Sequence, residues 1–504
     1  TTASWNTAVG SNALKLNTTG TQNVAVGADA LDENTTGGDI TAVGYEALSK
    51  NTTASQNTAV GSKALRDTTT GTRNTAVGSY TLQSCTTADS NTAVGHDALL
   101  STTTGGVNTA FGTWALENNT TGHSNTAIGA AALATNTTAI NNTAVGRDAL
   151  YANTTGSGNV SIGVYALDEN TTGSNNTGIG AYSLGENTTA NNNTALGYAA
   201  LEKNTTGANN IAVGTYALDA NTTGSYNTAI GYQSLTAATT ASPNTAVGYN
   251  AAPSLTTGSE NVILGNSVCS NAGSTTFQQN VIIGADAVQG NGFTGEGNVI
   301  IGRQAGYYFD GSADNNVIIG GNAGDRTGFI GDGNIVIGQA SDTSSTDRTN
   351  EYVLGTGTTG NGNNTFYVHS TSGAYNGSNG THWDTTSDQR IKKNITNFNT
   401  GLDIINKIQV RTFEYKTKDE IKSDNPELTD VLPSVENVLN ISGVQKGLIA
   451  QEAEKVSADF VRTPSTGIKS VVTDDIFWYM LNAIKELSGK NTSLEARVAA
   501  LEGA

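Results

Sequence analysis

The sequence predicts a mainly β protein: a parallel β-solenoid (β-roll) of 17-residue coils, followed by a small α+β domain that ends in a coiled-coil helix. Two observations lead to this prediction. A glycine recurs every 17 residues from Gly10 to Gly265, and then at steps of 18 or 19 residues as far as Gly338. Beyond about residue 386 the repeat gives way to a charged, helix-forming sequence. A fixed period of this kind indicates one structural unit stacked on its copies.

Each repeat is predicted to form one coil of a body that spans residues 1–339. The first coil reads NTAVG-SNAL and then NTTG. Gly, Asn and Thr form helices poorly, which argues against a helical repeat. The segment NTAVG is instead predicted to be a short strand whose alternate side chains face inward, and its glycine marks a corner. Ala13 and Leu14 supply a second inward contact, and Thr-Thr-Gly forms the last turn.

The apolar interior of one coil is small. We expect one Val or Ile, one Leu and two Ala per coil to face inward. Because ordering the backbone costs about 1–2 kcal/mol per residue, so thin a coil should not stand alone. We therefore predict a homotrimer in which three chains share a central apolar axis. From Asn261 onward, segments such as NVIL and NVII predict a thicker core, and we expect the longer turn at 289–295 to project outward.

One coil position carries asparagine in ten coils, which predicts a ladder of stacked side-chain amides. The same residues begin Asn-Thr-Thr sequons, so attached glycans are the alternative. The ten residues are Asn17, Asn34, Asn51, Asn119, Asn136, Asn153, Asn170, Asn187, Asn204 and Asn221.

Aromatic residues recur just after the coil glycine. Exposed rings in a stripe stack on sugars and would suit a glycan receptor, whereas packing between coils or chains is the alternative. The residues are Tyr80, Trp114, Tyr165, Tyr182 and Tyr216, two places after the glycine, and Tyr45, Tyr198, Tyr232 and Tyr249, one place after it. No paired carboxylates recur on the body, so the pattern does not support a polysaccharide-cutting site.

Composition excludes several classes of function. Residues 1–386 carry 26 acidic and 10 basic side chains, which argues against nucleic-acid binding. Cys85 and Cys269 lie far apart, and the four histidines (His96, His123, His369 and His382) lack metal-ligand spacing, so we expect no disulfide, metal or cofactor. No apolar run is long enough for membrane insertion. The chain opens inside a repeat without Met, and we expect it to start within a longer or processed protein.

Residues 340–386 are predicted to be a neck or linker with short strands at Glu351–Leu354 and Thr365–Val368. The segment that follows reads SDQRIKKNI from Ser387 to Ile395. Two further features follow it: the hexad GLIAQE at Gly447–Glu452 and a closing helix. With this motif they resemble the endosialidase-type domain of phage tailspikes and tail fibres, which is an intramolecular chaperone that cleaves itself. The resemblance covers residues 387–504.

The resemblance implies a Ser–Lys dyad that cleaves the Thr386–Ser387 bond, with Ser387 as the nucleophile and Lys392 as the general base. Serine needs an adjacent base, and lysine acts as one only when burial or neighbouring cations lower its pKa. Lys393 is an alternative base, and a solvated surface charge is the alternative role for Lys392. Asp388, Arg390, Asn394, Gly447, Gln451 and Glu452 are expected to support the site, with Asp388 and Arg390 in a structural role. For the hexad Gly447–Glu452 two alternatives stay open: it lines the site, or it simply opens a helix.

The end of the chain, from about residue 475 to 501, is predicted to form a coiled coil. Apolar residues alternate at spacings of three and four, which is a heptad seam. The alternative is a single amphipathic helix that docks on its own domain. The seam comprises Phe477, Met480, Ile484, Leu487, Asn491, Leu494, Val498 and Leu501.

Together these features predict a viral tail fibre or tailspike that binds a receptor and whose C-terminal domain drives trimerisation and then removes itself as an autocatalytic serine endopeptidase. We expect a virion protein that is made in the host cytoplasm and acts outside the cell. Its expected partners are its own copies, tail or baseplate proteins and a host surface receptor, with a glycan as the expected receptor. A bacterial surface adhesin or extracellular filament with the same, uncleaved, folding domain is the alternative. An enzyme acting on host glycans would need a carboxylate or metal cluster, which the sequence does not offer.

Overall fold

The computed structural model describes residues 2–503 apart from 272, 291, 310, 326–330, 369–373, 378–383, 386–395, 397, 426–442 and 463–468. The chain separates into two compact units, Thr1–Thr386 and Ser387–Ala504. The first unit is a parallel β-solenoid, and the second is a small α+β region with a long terminal helix. The predicted fold class is confirmed for the single chain.

Strands β1–β22 stack in parallel, one per coil, and each has three or four residues. Strands β23 and β24 follow in antiparallel pairing. The bounds of β1–β24, in order, are Thr7–Val9, Val24–Val26, Thr41–Val43, Thr58–Val60, Thr75–Val77, Thr92–Val94, Thr109–Phe111, Thr126–Ile128, Thr143–Val145, Val160–Ile162, Thr177–Ile179, Thr194–Leu196, Ile211–Val213, Thr228–Ile230, Asn244–Val247, Asn261–Leu264, Val281–Ile283, Val299–Ile301, Val317–Ile319, Ile335–Ile337, Tyr352–Leu354, Thr365–Val368, Ala374–Gly377 and Asp384–Thr385.

Neighbouring coils are stacked in register. In β3 and β4, for example, Thr41 pairs with Thr58 and Val43 pairs with Val60. Side chains at one coil position therefore form a column, with each residue above its counterpart in the preceding coil. A column places identical groups about one strand spacing apart, which is ~4.8 Å. The chemistry of each column follows from this spacing.

The glycine column confirms the predicted corner. Gly146 has φ +135°, and a Cβ atom there would lie 2.4 Å from the carbonyl oxygen of Gly163 in the next coil. Real Cβ atoms do not approach backbone this closely. Only glycine accommodates both the positive φ and the contact, so the 17-residue recurrence of glycine is a geometric requirement.

The interior differs from the prediction in one respect. Ala144, the middle residue of β9, is fully buried, as are Ala149 and Leu150. Val145 points the other way and is only partly covered. The expectation that Val or Ile faces inward is wrong, because a three-residue strand directs its first and third side chains to one face and its middle side chain to the other.

The predicted amide ladder is confirmed. Asn170 donates from Nδ2 to Asn153 Oδ1 at 2.9 Å, and its own Oδ1 accepts from Asn187 Nδ2 at 2.8 Å. Asn34, Asn51 and the members from Asn119 to Asn221 are fully buried, which closes these positions to glycans. Buried amides that donate and accept in turn stabilise the stack instead, except where the next coil lacks the asparagine and leaves Oδ1 of Asn51 and Asn221 without a partner.

A second asparagine ladder was not predicted. The residue that precedes each strand accepts a backbone hydrogen bond from its copy in the next coil, as when Asn176 N donates to Asn159 Oδ1 at 2.9 Å. Its Nδ2 closes the coil on a carbonyl 14 residues ahead, as from Asn159 to Gly173 at 2.8 Å. This ladder runs with few interruptions to Glu351, whose backbone N donates to Asn334 Oδ1 at 2.9 Å.

The later coils have a repacked core. The inward strand residue changes from Ala246 to Ile263, which confirms that larger apolar groups enter. In the column of Leu150, the residues of these coils are Cys269, Val288 and Gly306, each smaller than leucine. Enlarging one position while reducing the other conserves volume. The turn at 289–295 does not project as expected, because Phe293 is fully buried between Phe277 and Phe309, with ring centroids 5.3 and 5.4 Å away.

The segment predicted to be a neck contains the strands expected there. β21 pairs in parallel with β20, and β22 pairs in parallel with β21, so the stack continues past residue 339. Glu351 is fully buried between these coils. Its carboxylate accepts hydrogen bonds from the backbone N of Ser344 at 3.0 Å and of Gly362 at 2.6 Å.

The second unit is small and aperiodic. Its helices are α1 (Leu402–Ile405), α2 (Lys418–Asp424), α3 (Ala450–Val456) and α4 (Thr473–Glu502), with a 3₁₀ turn at Ala458–Phe460. Two antiparallel pairs join β25 (Arg411–Phe413) to β26 (Gln445–Gly447) and β27 (Val461–Arg462) to β28 (Ser470–Val471). The core consists of Ala453, Phe460 and Ile476 with partly buried apolar neighbours.

Candidate functional site

The residues expected to carry the cleavage chemistry fall outside the described part of the chain. The geometry of the Ser–Lys dyad and of its immediate neighbours therefore stays a prediction. These residues are Thr386, Ser387, Asp388, Arg390, Lys392, Lys393 and Asn394.

The hexad Gly447–Glu452 lies at the junction between a strand and a helix. Gly447 is the last residue of β26 and pairs with Arg411 of β25. A Cβ atom at Gly447 would lie 3.2 Å from the ring of Phe413, so the glycine lets the two strands pack under that ring. Ile449 caps α3, and Gln451 is exposed in the first turn of α3. The backbone of the hexad does open a helix, as one of the two alternatives expected, because α3 begins at Ala450.

Glu452 connects α3 to β25 by a two-point ion pair. Arg411 Nε lies 3.0 Å from Oε2 of Glu452, and Arg411 Nη2 lies 2.9 Å from Oε1. The hydrogen bonds from Arg411 hold the pKa of Glu452 below its usual value and raise the pKa of Arg411. Both side chains remain partly exposed, so the pair fixes orientation more than it adds stability. Sequence reasoning missed Arg411, because the partners are 41 residues apart.

A cleft of about 360 Å³ lies beside this ion pair. Lys407, Arg411 and Lys455 contribute cations to its lining, and Glu452 contributes the carboxylate. The excess of positive charge attracts anionic groups. The described end of the hexad is therefore part of a polar, partly basic surface.

Helix α4 presents two different faces. Ile476 and Ala483 are buried, and Tyr479 meets Phe460 and Phe398 edge-on at 5.1 and 4.8 Å. This face, at spacings of three and four residues, docks the helix on its own unit. The seam residues Phe477, Met480, Ile484, Leu487, Leu494, Val498 and Leu501 are all exposed. Docking and an open heptad seam therefore coexist on one helix.

The aromatic residues of the body pack on one another between coils. Ring centroids lie 5.4 Å apart for Tyr165 and Tyr182, 5.9 Å for Tyr182 and Tyr198, and 5.5 Å for Tyr198 and Tyr216. Packing between coils is thus observed, yet Tyr182 and Tyr198 remain partly exposed, at 38% and 46%.

Acidic side chains follow the buried leucine column in the same coils. Burial, with the nearby carboxylates of Glu169, Asp148 and Glu186, raises the pKa of Asp168 to about 6. Burial likewise raises the pKa of Glu202 and Asp219.

Among the described residues, no group of His, Cys, Asp and Glu is arranged to hold a metal ion. Nor does any described helix combine the length and apolar character that crossing a bilayer would need. Both cysteines are buried and unpaired in interior columns, and burial raises the pKa of Cys85 to about 11. They act as apolar fillers of the core.

Comparison with known proteins identifies the C-terminal unit. No curated protein matches the chain. Residues 387–462 match the peptidase family model described as "Chaperone of endosialidase". The matched range begins at Ser387, ends with β27 and contains the Gly447–Glu452 hexad, so the resemblance inferred from the motifs is confirmed. The chain is a parallel β-solenoid followed by a C-terminal unit whose residues 387–462 are similar to the chaperone-of-endosialidase family.

Proposed function

We propose that this protein is a viral tail fibre or tailspike-type structural protein whose C-terminal unit gathers three chains, guides the folding of the β-body and then cleaves the Thr386–Ser387 bond. The observation that carries the proposal is the family match that begins at Ser387, after a stack of 22 parallel strands and the two short antiparallel strands β23 and β24. A single cut at the Thr386–Ser387 bond would separate the segment that matches this chaperone family from the body, which supports the proposal.

The body needs a folding aid for a physical reason. Every rung pairs with a strand about 17 residues away, and an isolated coil buries little more than two Ala and one Leu. The first coils to form therefore gain little free energy from burial, while they lose much conformational entropy. The start of the stack is the unfavourable step of folding. Stacks of this kind expose unpaired strand edges while they grow and aggregate readily. A unit that brings chains together would supply the nucleus.

The open seam of α4 supports the gathering role. Residues 487–502 are exposed throughout, yet they continue a helix of 30 residues. A helical segment with no tertiary contact is marginal in water. Association along the heptad seam would bury its apolar residues, and Asn491 would fix the register.

The proposed cleavage uses Ser387 and Lys392. The amine of neutral Lys392 takes the proton of Ser387 Oγ as that oxygen attacks the carbonyl carbon of Thr386. The C–N bond breaks, the nitrogen of Ser387 receives a proton from Lys392, and an ester links Thr386 to Oγ. Water then hydrolyses the ester. Lysine serves as a base only when its pKa is lowered, so the reaction awaits a folded site.

For the body we propose attachment to the host surface. Tyr182 and Tyr198 belong to a partly exposed aromatic row, which suits stacking on the apolar faces of sugars. The proposed setting is the virion tail, with tail or baseplate proteins as further partners.

The intact mass of the purified protein tests the cleavage. The wild-type chain should yield two fragments that meet at Thr386–Ser387, whereas Ser387→Ala should remain one chain of 51.6 kDa. Lys392→Ala should also stay whole, and Lys393→Ala is the matched control that should still be cut. If wild type and Ser387→Ala both stay whole, the self-cleavage proposal is wrong.

A further inference from the structure

The outward face of strands β1–β21 carries two continuous columns of side chains. The residue just before the coil glycine is Val, Ile, Leu or Phe in all 21 strands, and the residue three places before that glycine is Thr, Val, Ile or Tyr. None of these outward positions carries a charge. In the column just before the coil glycine, the side chains that are more than one third exposed include Val9, Val60, Val77, Phe111, Ile128, Ile162, Leu196, Ile230 and Ile337.

The stability of the single coil does not explain this pattern. The interior is filled by the Ala of the strand, a second Ala and Leu, and the two asparagine ladders supply the polar contacts. Outward strand residues that face water on a sheet are normally polar and vary freely. Twenty-one successive apolar residues instead form a strip much larger than the few hundred Å² that soluble monomers usually expose.

Charge restricts what can cover the strip. The chain carries a net charge of −18, and charged side chains lie at other coil positions, such as Asp148, Asp168 and Glu186. Two such bodies that met through those positions would bring carboxylates together, which costs free energy. The strand face is free of charge along its length, so copies can meet there without repulsion.

We propose that this strand face is the surface through which three copies of the chain meet, side by side and in register. The assignment deepens the trimer of the proposed function and rests on it. The partner is a copy because the strip repeats with every coil of the stack, and a second copy offers the same spacing over the same length. Valine and isoleucine of one chain then pack between those of its neighbours about a common axis, and the aromatic row and acidic positions remain outside.

Thiol accessibility tests the assignment in the full chain with Ser387→Ala, which keeps it in one piece. Ile230→Cys places a thiol on the strand face, and Thr155→Cys is the matched control on an exposed turn. The native thiols of Cys85 and Cys269 are buried, and the chain without an added cysteine gives the background rate of maleimide reaction. In the folded protein, Ile230→Cys should react with a maleimide more than about tenfold more slowly than Thr155→Cys, and both should react alike in denaturant.

Cross-linking supplies the second measurement. Oxidation to a disulfide, which needs no bulky reagent at the axis, should join chains through Ile230→Cys and leave Thr155→Cys as single chains, since only residues near the axis meet their own copies. If the native mass is that of three chains but the thiol of Ile230→Cys reacts as fast as that of Thr155→Cys, the trimer exists and the assigned face is wrong. A native mass of one chain would instead overturn the trimer of the proposed function and this surface with it.

Discussion

The two units of this chain solve the folding problem in opposite ways. In the body each coil presents its successor with the same columns of glycine, asparagine and alanine, so any coil can serve as the template for the next. In the C-terminal unit nothing repeats, and contacts such as that of Arg411 with Glu452 join residues far apart in sequence. A periodic sequence therefore encodes how a stack grows without encoding where it starts. An aperiodic unit can supply the start.

The sharpest way to break the body is through its glycine column. Gly146→Ala would force a Cβ atom to 2.4 Å from the Gly163 carbonyl oxygen at φ +135°. We expect a loss of several kcal/mol, with local opening of the stack, because both the backbone and the next coil must shift. The measurement is thermal or denaturant unfolding of the full chain with Ser387→Ala.

Gly185→Ala is the matched control for that substitution. Its φ is not in the positive range, and the nearest atom to an added Cβ is the Tyr182 carbonyl oxygen at 3.3 Å. It should change stability by less than about 1 kcal/mol. Equal effects at the two glycines would contradict the column as the source of the 17-residue period.

The asparagine ladder should show the next largest effect. Asn170→Asp would put a carboxylate in a fully buried position and turn a donor toward Asn153 Oδ1 into an acceptor. We expect a cost of about 3 kcal/mol or more at neutral pH, since a buried charge loses its hydration. Unfolding monitored by circular dichroism measures it.

Asn170→Thr is the milder counterpart, because the chain itself carries Thr68 and Thr102 in the same column. A loss of about 1–2 kcal/mol is expected from the missing amide contacts. If Asn170→Asp were no worse than Asn170→Thr, the ladder would not depend on the neutral amide.

How far the sequence predicts these regions follows from their periodicity. The 17-residue recurrence predicted the coils, the glycine corner and one ladder, because each requires a given residue type at a fixed position in the repeat. The second ladder at Asn159 and Asn176 carried the same signal and was overlooked because the residue adjoins a strand. The direction of Val145 was missed because alternation in a three-residue strand leaves two ways to face inward.

The C-terminal unit was predictable by motif more than by pattern. The segment Ser387–Ile395 and the hexad at Gly447 indicated the family, which the match over residues 387–462 supports. The contact of Arg411 with Glu452 left no periodic trace. The docking face of α4 did leave one, since Ile476, Tyr479 and Ala483 are spaced by three and four residues beside the seam.

A smaller effect should come from pH. The pKa of Asp168 is raised to about 6 in the folded chain, from 3.8, so the folded state holds this proton more tightly than the unfolded state does. Its contribution to stability is therefore present at low pH and is lost as the pH rises through about 6. Asp168→Asn should raise the melting temperature at pH 7.5 and have little effect near pH 3.5, which is below the unfolded pKa of 3.8.

Asp39→Asn serves as the comparison for that residue, because Asp39 is exposed and is not among the carboxylates that raise the pKa of Asp168. It should not reproduce the pH-dependent gain. An Asp168→Asn variant whose melting temperature shifts equally at both pH values would show that protonation of this carboxyl is not the cause.

The smallest expected effect concerns helix α4 of the C-terminal unit. Gly489 lies on the exposed surface of α4, away from the seam, with no atom within 4 Å of an added Cβ. Gly489→Ala should stabilise the helix by up to about 1 kcal/mol from helix propensity alone. Helical content on heating measures it, and a loss of helix would contradict an exposed, continuous α4.

The most direct measurement is the native mass of the full-length Ser387→Ala protein in dilute salt. We expect three times the chain mass of 51.6 kDa, and replacing both Leu487 and Leu494 on the α4 seam by Asp should abolish this trimer. A folded β-body that has the mass of a single chain before any substitution would contradict the claim that copies gather along the seam and share the strand face.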